Sequence, residues 1–143
     1  QNKKEEALQL FLVILQKHKG ESIEEGTLYK VGKIYEEKGD FNKALTYYQN
    51  ILDNHKDGIY KDEALYFSAE IYRKHLLENE KAKALYEKVV LEHPDSLYYT
   101  ESRKQYRTLR GDSTIWFYTE IHRDPFPNFV LRRDTQRHLV LLY

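Results

Sequence analysis

Along most of the chain the large apolar residues fall three or four positions apart, with Lys and Glu filling the intervals. Leu28, Val31 and Tyr35 follow this spacing, and so do Ala44, Tyr48 and Ile51. Such spacing puts side chains on one face of a helix, whereas a half-buried strand would alternate at every second residue. The pattern predicts helices at about Ile23–Lys38, Phe41–Asn54, Lys61–His75 and Glu80–Glu92, with a further one over Asn2–Lys17. Breaks fall at Gly39-Asp40, Lys56-Asp57-Gly58, Leu77-Glu78-Asn79 and Pro94-Asp95-Ser96, where glycine, proline and short polar side chains favour turns.

Laid on itself, the chain repeats. Alanine recurs at positions 7, 44 and 82, at spacings of 37 and 38. Phe11, Tyr48 and Tyr86 keep the same intervals, as do Ile14, Ile51 and Val89. In between, Leu28, Val31, Gly32 and Tyr35 correspond to Leu65, Ser68, Ala69 and Tyr72, each 37 residues later. One unit is therefore a pair of helices. Gly32 and Ala69 on first helices, and Ala7, Ala44 and Ala82 on second helices, mark where the two must approach closely. A larger side chain there would push the axes apart, and the recurring aromatics are expected to fill the space between successive units.

The run Leu28-Tyr29-Lys30-Val31-Gly32-Lys33-Ile34-Tyr35, followed by Gly39-Asp40-Phe41, Ala44, Tyr48 and Ile51, resembles the tetratricopeptide repeat signature with Leu28 in place of its Trp. The resemblance implies an all-α fold, a right-handed solenoid of helical hairpins over residues 1–111. Its parts would be an orphan second helix at 2–17, hairpins at 23–54 and 61–92, and a closing helix at 97–110. The second unit departs from the signature, because its hairpin glycine is missing and its turn holds one extra residue, while His93-Pro94 restores the closing proline. The repeat is longer than the family's usual length of about 34, with the extra residues between hairpins. His93-Pro94-Asp95-Ser96-Leu97-Tyr98 leading to Glu101-Ser102 resembles a subgroup found in bacterial envelope proteins, which implies a periplasmic or envelope location.

In such arrays the first helices line a concave face, so the resemblance implies a partner site at Tyr29, Lys33, Glu36, Glu37, Glu63, Tyr66, Phe67, Glu70, Arg73 and Lys74. Tyr29 is equivalent to Tyr66, and Lys33 to Glu70. Two aromatic platforms flanked by charge would hold an extended peptide or a partner helix. Alternatively, the two tyrosines pack inside the array. Some family members clamp a C-terminal carboxylate with Lys, Asn and Arg, but Tyr29 and Glu70 stand at two of the positions needed, which argues against a clamp here.

Composition narrows the choice of partner. Lys plus Arg, 23, equals Asp plus Glu, 23, so no global field draws the chain to nucleic acid or an acidic membrane. The apolar run Leu8–Leu15, broken by Gln9, is far short of the roughly 20 residues that span a bilayer. There is no Cys, hence no disulfide or thiol chemistry, and no Met; the start inside an apparent helix, without a signal peptide, reads as a piece of a longer chain or a processed product.

His18, His55 and His93 keep the repeat register, which places each at the end of a second helix, against the negative end of its dipole and too far from the next to share a metal ion. His75, His122 and His138 read as surface or packing residues. Arg110-Gly111-Asp112 contains an integrin-recognised tripeptide, but Gly111 reads as a helix C-cap. The pairs Glu5-Glu6, Glu24-Glu25 and Glu36-Glu37 read as solvated, and no phosphate loop, nucleophile elbow or metalloprotease motif is present. These readings predict no enzyme, no cofactor and no metal.

After Asp112 the composition changes. The first 112 residues hold all 15 Lys, and the basic residues of 113–143 are Arg123, Arg132, Arg133 and Arg137. Ser113–His122 and Phe129–Leu131 are rich in β-branched and aromatic residues, so 112–143 reads either as a small β-hairpin turning at Asp124–Asn128 or as an irregular tail foreign to the array. The expected function is a protein–protein interaction scaffold. The alternative is a spacer or self-association module of a longer envelope protein, acting through the N-terminal helix or the apolar Leu139–Tyr143.

Overall fold

The computed structural model describes residues 2–55 and 57–112. The expected β-hairpin or irregular tail, its apolar terminus, His122 and His138 lie outside the described residues. Among the described residues six α-helices follow one another: α1 (Asn2–Lys17), α2 (Ser22–Glu37), α3 (Phe41–Asn54), α4 (Lys61–Ile71), α5 (Asn79–Glu92) and α6 (Tyr99–Arg110). A π-helical turn, Tyr72–Leu76, continues α4. Each helix packs on the next in sequence, α1 on α2 through to α5 on α6, which makes an all-α array of helical hairpins.

Close approach within a hairpin depends on one glycine. A Cβ added to Gly32 would lie 2.5 Å from Cε1 of Tyr48, whose ring is fully buried on α3. Ala69 and Tyr86 are likewise fully buried at the equivalent level of the second hairpin. The aromatics were expected between units. Tyr48 lies against Gly32 of its own hairpin and also shares a buried cluster with Ala64 and Ile71 of the next, where Phe67 stands at 6.4 Å between ring centroids, so the ring serves both contacts.

The extra residue of the second unit sits in the π turn. In the first hairpin Gly39 takes φ +78, and Asp40 N–H bonds to Tyr35 C=O at 2.9 Å, closing α2 with a left-handed glycine. In the second, Tyr72 C=O accepts from Glu78 N–H at 2.9 Å across one residue more, and the left-handed position falls to Leu77, φ 56, which is 75% exposed. One inserted residue thus widens the last turn without displacing α5. Gly111, φ +90, ends α6 in the left-handed conformation expected of a C-cap.

Carboxylates on first helices hold the loops that lead into the next unit. Glu25 accepts the backbone N–H of Tyr60 at 2.7 Å and of Ile59 at 3.3 Å. Asp62, 37 residues on, accepts the Ser96 hydroxyl, and Ser96 Oγ in turn accepts Tyr98 N–H at 3.1 Å. The longer acid faces Gly58, where an added Cβ would lie 2.1 Å from Glu25 Oε1; the shorter acid faces Ser96, whose hydroxyl fills the gap. This corrects the reading of the Glu24-Glu25 pair as merely solvated, while Glu5, Glu6 and Glu37 are exposed as expected. Glu24 lies 3.6 Å from His55, Glu5 pairs with Lys38 at 2.8 Å and Glu37 with Lys4 at 2.6 Å, so the pairs tie helices together.

Two substitutions should move stability in opposite directions in urea unfolding. Gly32→Ala is expected to cost about 1–3 kcal/mol by driving a methyl group into the Tyr48 ring. Leu77→Gly is expected to gain roughly 0.5–1 kcal/mol by relieving a left-handed leucine.

Candidate partner-binding face

A tyrosine buried in a hairpin needs a partner for its hydroxyl. Tyr48 donates to Glu36 Oε2 at 2.8 Å, and Lys33 Nζ approaches the same oxygen at 3.0 Å. In the second hairpin the hydroxyl of Tyr86 donates to Glu70 and accepts from Arg73 Nε at 3.1 Å, while Arg73 Nη2 lies 3.1 Å from Glu70 Oε1. Lys74 also pairs with Glu70. Residues Lys33, Glu36 and Glu37 therefore correspond to Glu70, Arg73 and Lys74, with every charge reversed.

Glu70 departs from the expectation of a surface contact. It is only 7% exposed and is enclosed by Tyr86, Arg73 and Lys74. Burial opposes its ionisation, and the hydrogen bonds from Lys74, Tyr86 and Arg73 outweigh that cost, holding its carboxyl below the ordinary range. Arg73 is half-buried in the same network, whereas Glu37 and Lys74 are exposed.

The aromatic residues form a seam across the first helices. Tyr29 stacks on Tyr60 at 4.9 Å, and its equivalent Tyr66 stacks on Tyr98 at 4.5 Å. Phe67 lies between the two stacks, 6.1 Å from Tyr29 and 5.5 Å from Tyr98, and carries Lys33 Nζ 3.7 Å from its centroid. The structure thus brings Tyr29, Lys33, Tyr66 and Phe67 together. Burial, the leading cause, pushes the hydroxyls of Tyr29 and Tyr66 up to about 12, so both stay protonated at neutral pH. The platforms are half-buried, which combines the two sequence readings. Sequence reasoning missed Tyr60 and Tyr98, although their spacing of 38 marked them.

Glu63 was placed on the face by its helical position alone. It is half-buried beside Asp62, with Oε2 sealed and without a hydrogen-bond partner. Burial first, and then the adjacent Asp62 carboxyl, push Glu63 up to about 7. Asp62 falls below the ordinary range against its burial, because Glu63 and Ser96 hydrogen-bond to it.

Two other features lie away from this face. A groove of about 670 Å³ opens between α3 and α5, floored by Ser68 and Tyr72, and holds none of the expected site residues. His55 and His93 occupy the C-cap positions of α3 and α5, and His75 stacks on Phe41 at 3.9 Å. Among the described residues no three His, Cys, Asp or Glu come together as metal ligands, and no helix is long and apolar enough to cross a membrane.

Residues 27–58 and 63–96 each match the tetratricopeptide repeat family model, which supports placing the chain in the tetratricopeptide repeat family. Its repeats generally mediate protein–protein interaction, and the fold is typically a non-enzymatic scaffold. Comparison with curated proteins and with solved structures finds no match.

The reversed charge triads yield a swap test by urea unfolding. Glu70→Lys alone should destabilise by about 2–4 kcal/mol, since it sets three cations together and strands a half-buried Arg73. The triple change Glu70→Lys, Arg73→Glu, Lys74→Glu reproduces the first hairpin's pattern and should recover most of that loss.

Proposed function

We propose that the chain is a non-enzymatic binding module that holds a protein partner, as an extended or helical segment, against the concave face of α2 and α4. Tyr29, Tyr66 and Phe67 supply the contact area there. Lys33, Glu37, Arg73 and Lys74 select by charge, and Glu70 orders the last two. The observation that carries this reading is the half-exposed aromatic seam, built twice in register and flanked by charge triads of opposite sign. A pattern of that kind discriminates along a ligand, because a segment matching one hairpin is mismatched to the other.

A second reading rests on α1. Ala7, Phe11 and Ile14 are only half-buried, whereas their equivalents Ala44, Tyr48 and Ile51 are fully buried, and Leu10 and Val13 are 66% and 45% exposed. That face suits a self-association or spacer role, which predicts a mass in light scattering that rises with concentration and stays monomeric after Leu10→Glu with Val13→Glu. The repeat lengths of 37 and 38, with the added residues held by the Glu25 and Asp62 contacts, support assignment to the family's bacterial envelope subgroup.

The main reading is tested by selecting ligands from a random peptide library and mapping the complex by hydrogen exchange. Protection is expected along α2 and α4, and Lys33→Glu should lower affinity about tenfold, or 1.4 kcal/mol. Protection confined to α3 and α5 would put the partner in the groove between those helices and overturn the assignment.

A further inference from the structure

Three carboxyl groups lie within electrostatic reach of one another near the loops into α4 and α6, without gathering closely enough to form a metal-ligand cluster. Glu25 holds the loop into α4 and Asp62 holds the loop into α6, each through hydrogen bonds that only an acceptor can make. Glu63 is the third, and in the first hairpin its equivalent is Gly26. The groups that face Glu63 are Glu25 and Tyr29 from α2, Asp62 from its own helix and Tyr98 from the turn before α6. All are acids or phenols, and among the described residues no Lys, Arg or His forms an ion pair with Glu63. Its sealed Oε2 meets neither donor nor water-accessible space.

We propose that Glu63 is a proton-controlled latch on this joint: protonated, it donates to Asp62 and lets the three carboxyls sit together; ionised, it sets a third negative charge between the two loop contacts and loosens both. Its own backbone N–H favours that charge but is outweighed by burial and by the Asp62 carboxyl, and repulsion from Asp62 and Glu25 is stronger beside the sealed Oε2 than at an exposed site. Since Tyr29 and Tyr98 belong to the two aromatic stacks, the latch would also set the shape of the seam. That consequence rests on the proposed partner-binding role, whereas the latch itself does not.

The direction with pH follows from the raised value. A carboxyl shifted up from the ordinary range to about 7 contributes fully to stability below that ordinary range. The contribution is lost as pH rises through about 7, so the joint tightens in acid and loosens in mild alkali.

Hydrogen exchange of the free chain tests this without any ligand. Between pH 5.5 and 8.5, after correction for intrinsic chemistry, protection of the Ile59, Tyr60 and Tyr98 amides should fall about tenfold relative to amides in the middle of α3. In Glu63→Gln the same amides should show no fall. Flat protection in the natural chain, or an equal fall in Glu63→Gln, would overturn the latch. Should that variant fail to fold, a carboxyl carbon titration of the natural chain decides: a midpoint for Glu63 below about 5 overturns it. A latch that responds as expected in a chain whose peptide ligands map to α3 and α5 would leave the latch standing and remove only the proposed face.

Discussion

Each hairpin is organised around a tyrosine that has to be buried and also has to place its hydroxyl. The ring fixes the spacing of the two helices, which is why glycine or alanine stands opposite it at Gly32 and Ala69. The hydroxyl then imposes a second demand, because a buried phenol left without a partner forfeits about 1–3 kcal/mol. Tyr48 and Tyr86 meet that demand by reaching through the hairpin to carboxylates on its first helix. Those carboxylates need cations in turn, and the charged pattern of the candidate face follows from the requirements of the core.

The two hairpins satisfy the same demand with the charges exchanged between equivalent positions. Glu36 receives the tyrosine in one and Glu70 in the other, one helical turn apart, so the cations move from Lys33 to Arg73 and Lys74. Packing is indifferent to the exchange, since either carboxylate lies within reach of the phenol. A partner running along the face would not be indifferent. The fold therefore leaves open a choice of sign that can serve specificity at little cost to stability.

Between hairpins a different interaction operates. Carboxylates at the starts of first helices accept hydrogen bonds from the following loops, and the pairing of Glu25 with Gly58 against Asp62 with Ser96 shows length exchanged for a hydroxyl. The stacks of Tyr29 on Tyr60 and Tyr66 on Tyr98 lie at these same joints. Loop capture and aromatic stacking thus depend on the same few residues.

The sequence by itself determined the helices, their pairing into hairpins and the register of the repeat, since these follow from local periodicity and from glycine and proline at the turns. It marked the extra residue of the second unit by count, but not that a π turn would absorb it and leave Leu77 in the left-handed position. The resemblance to the repeat family implied that Tyr29, Lys33, Tyr66 and Phe67 share one face, since the first helices of such arrays line it. Only the tertiary structure decided that Glu70 is enclosed, that Glu25 grips a loop 34 and 35 residues away, and that Tyr60 and Tyr98 complete the stacks. Periodicity tells which side of a helix a residue occupies. Whether that residue is exposed, paired or sealed depends on what the neighbouring hairpin brings to it, and that is set by contacts between residues a full repeat apart.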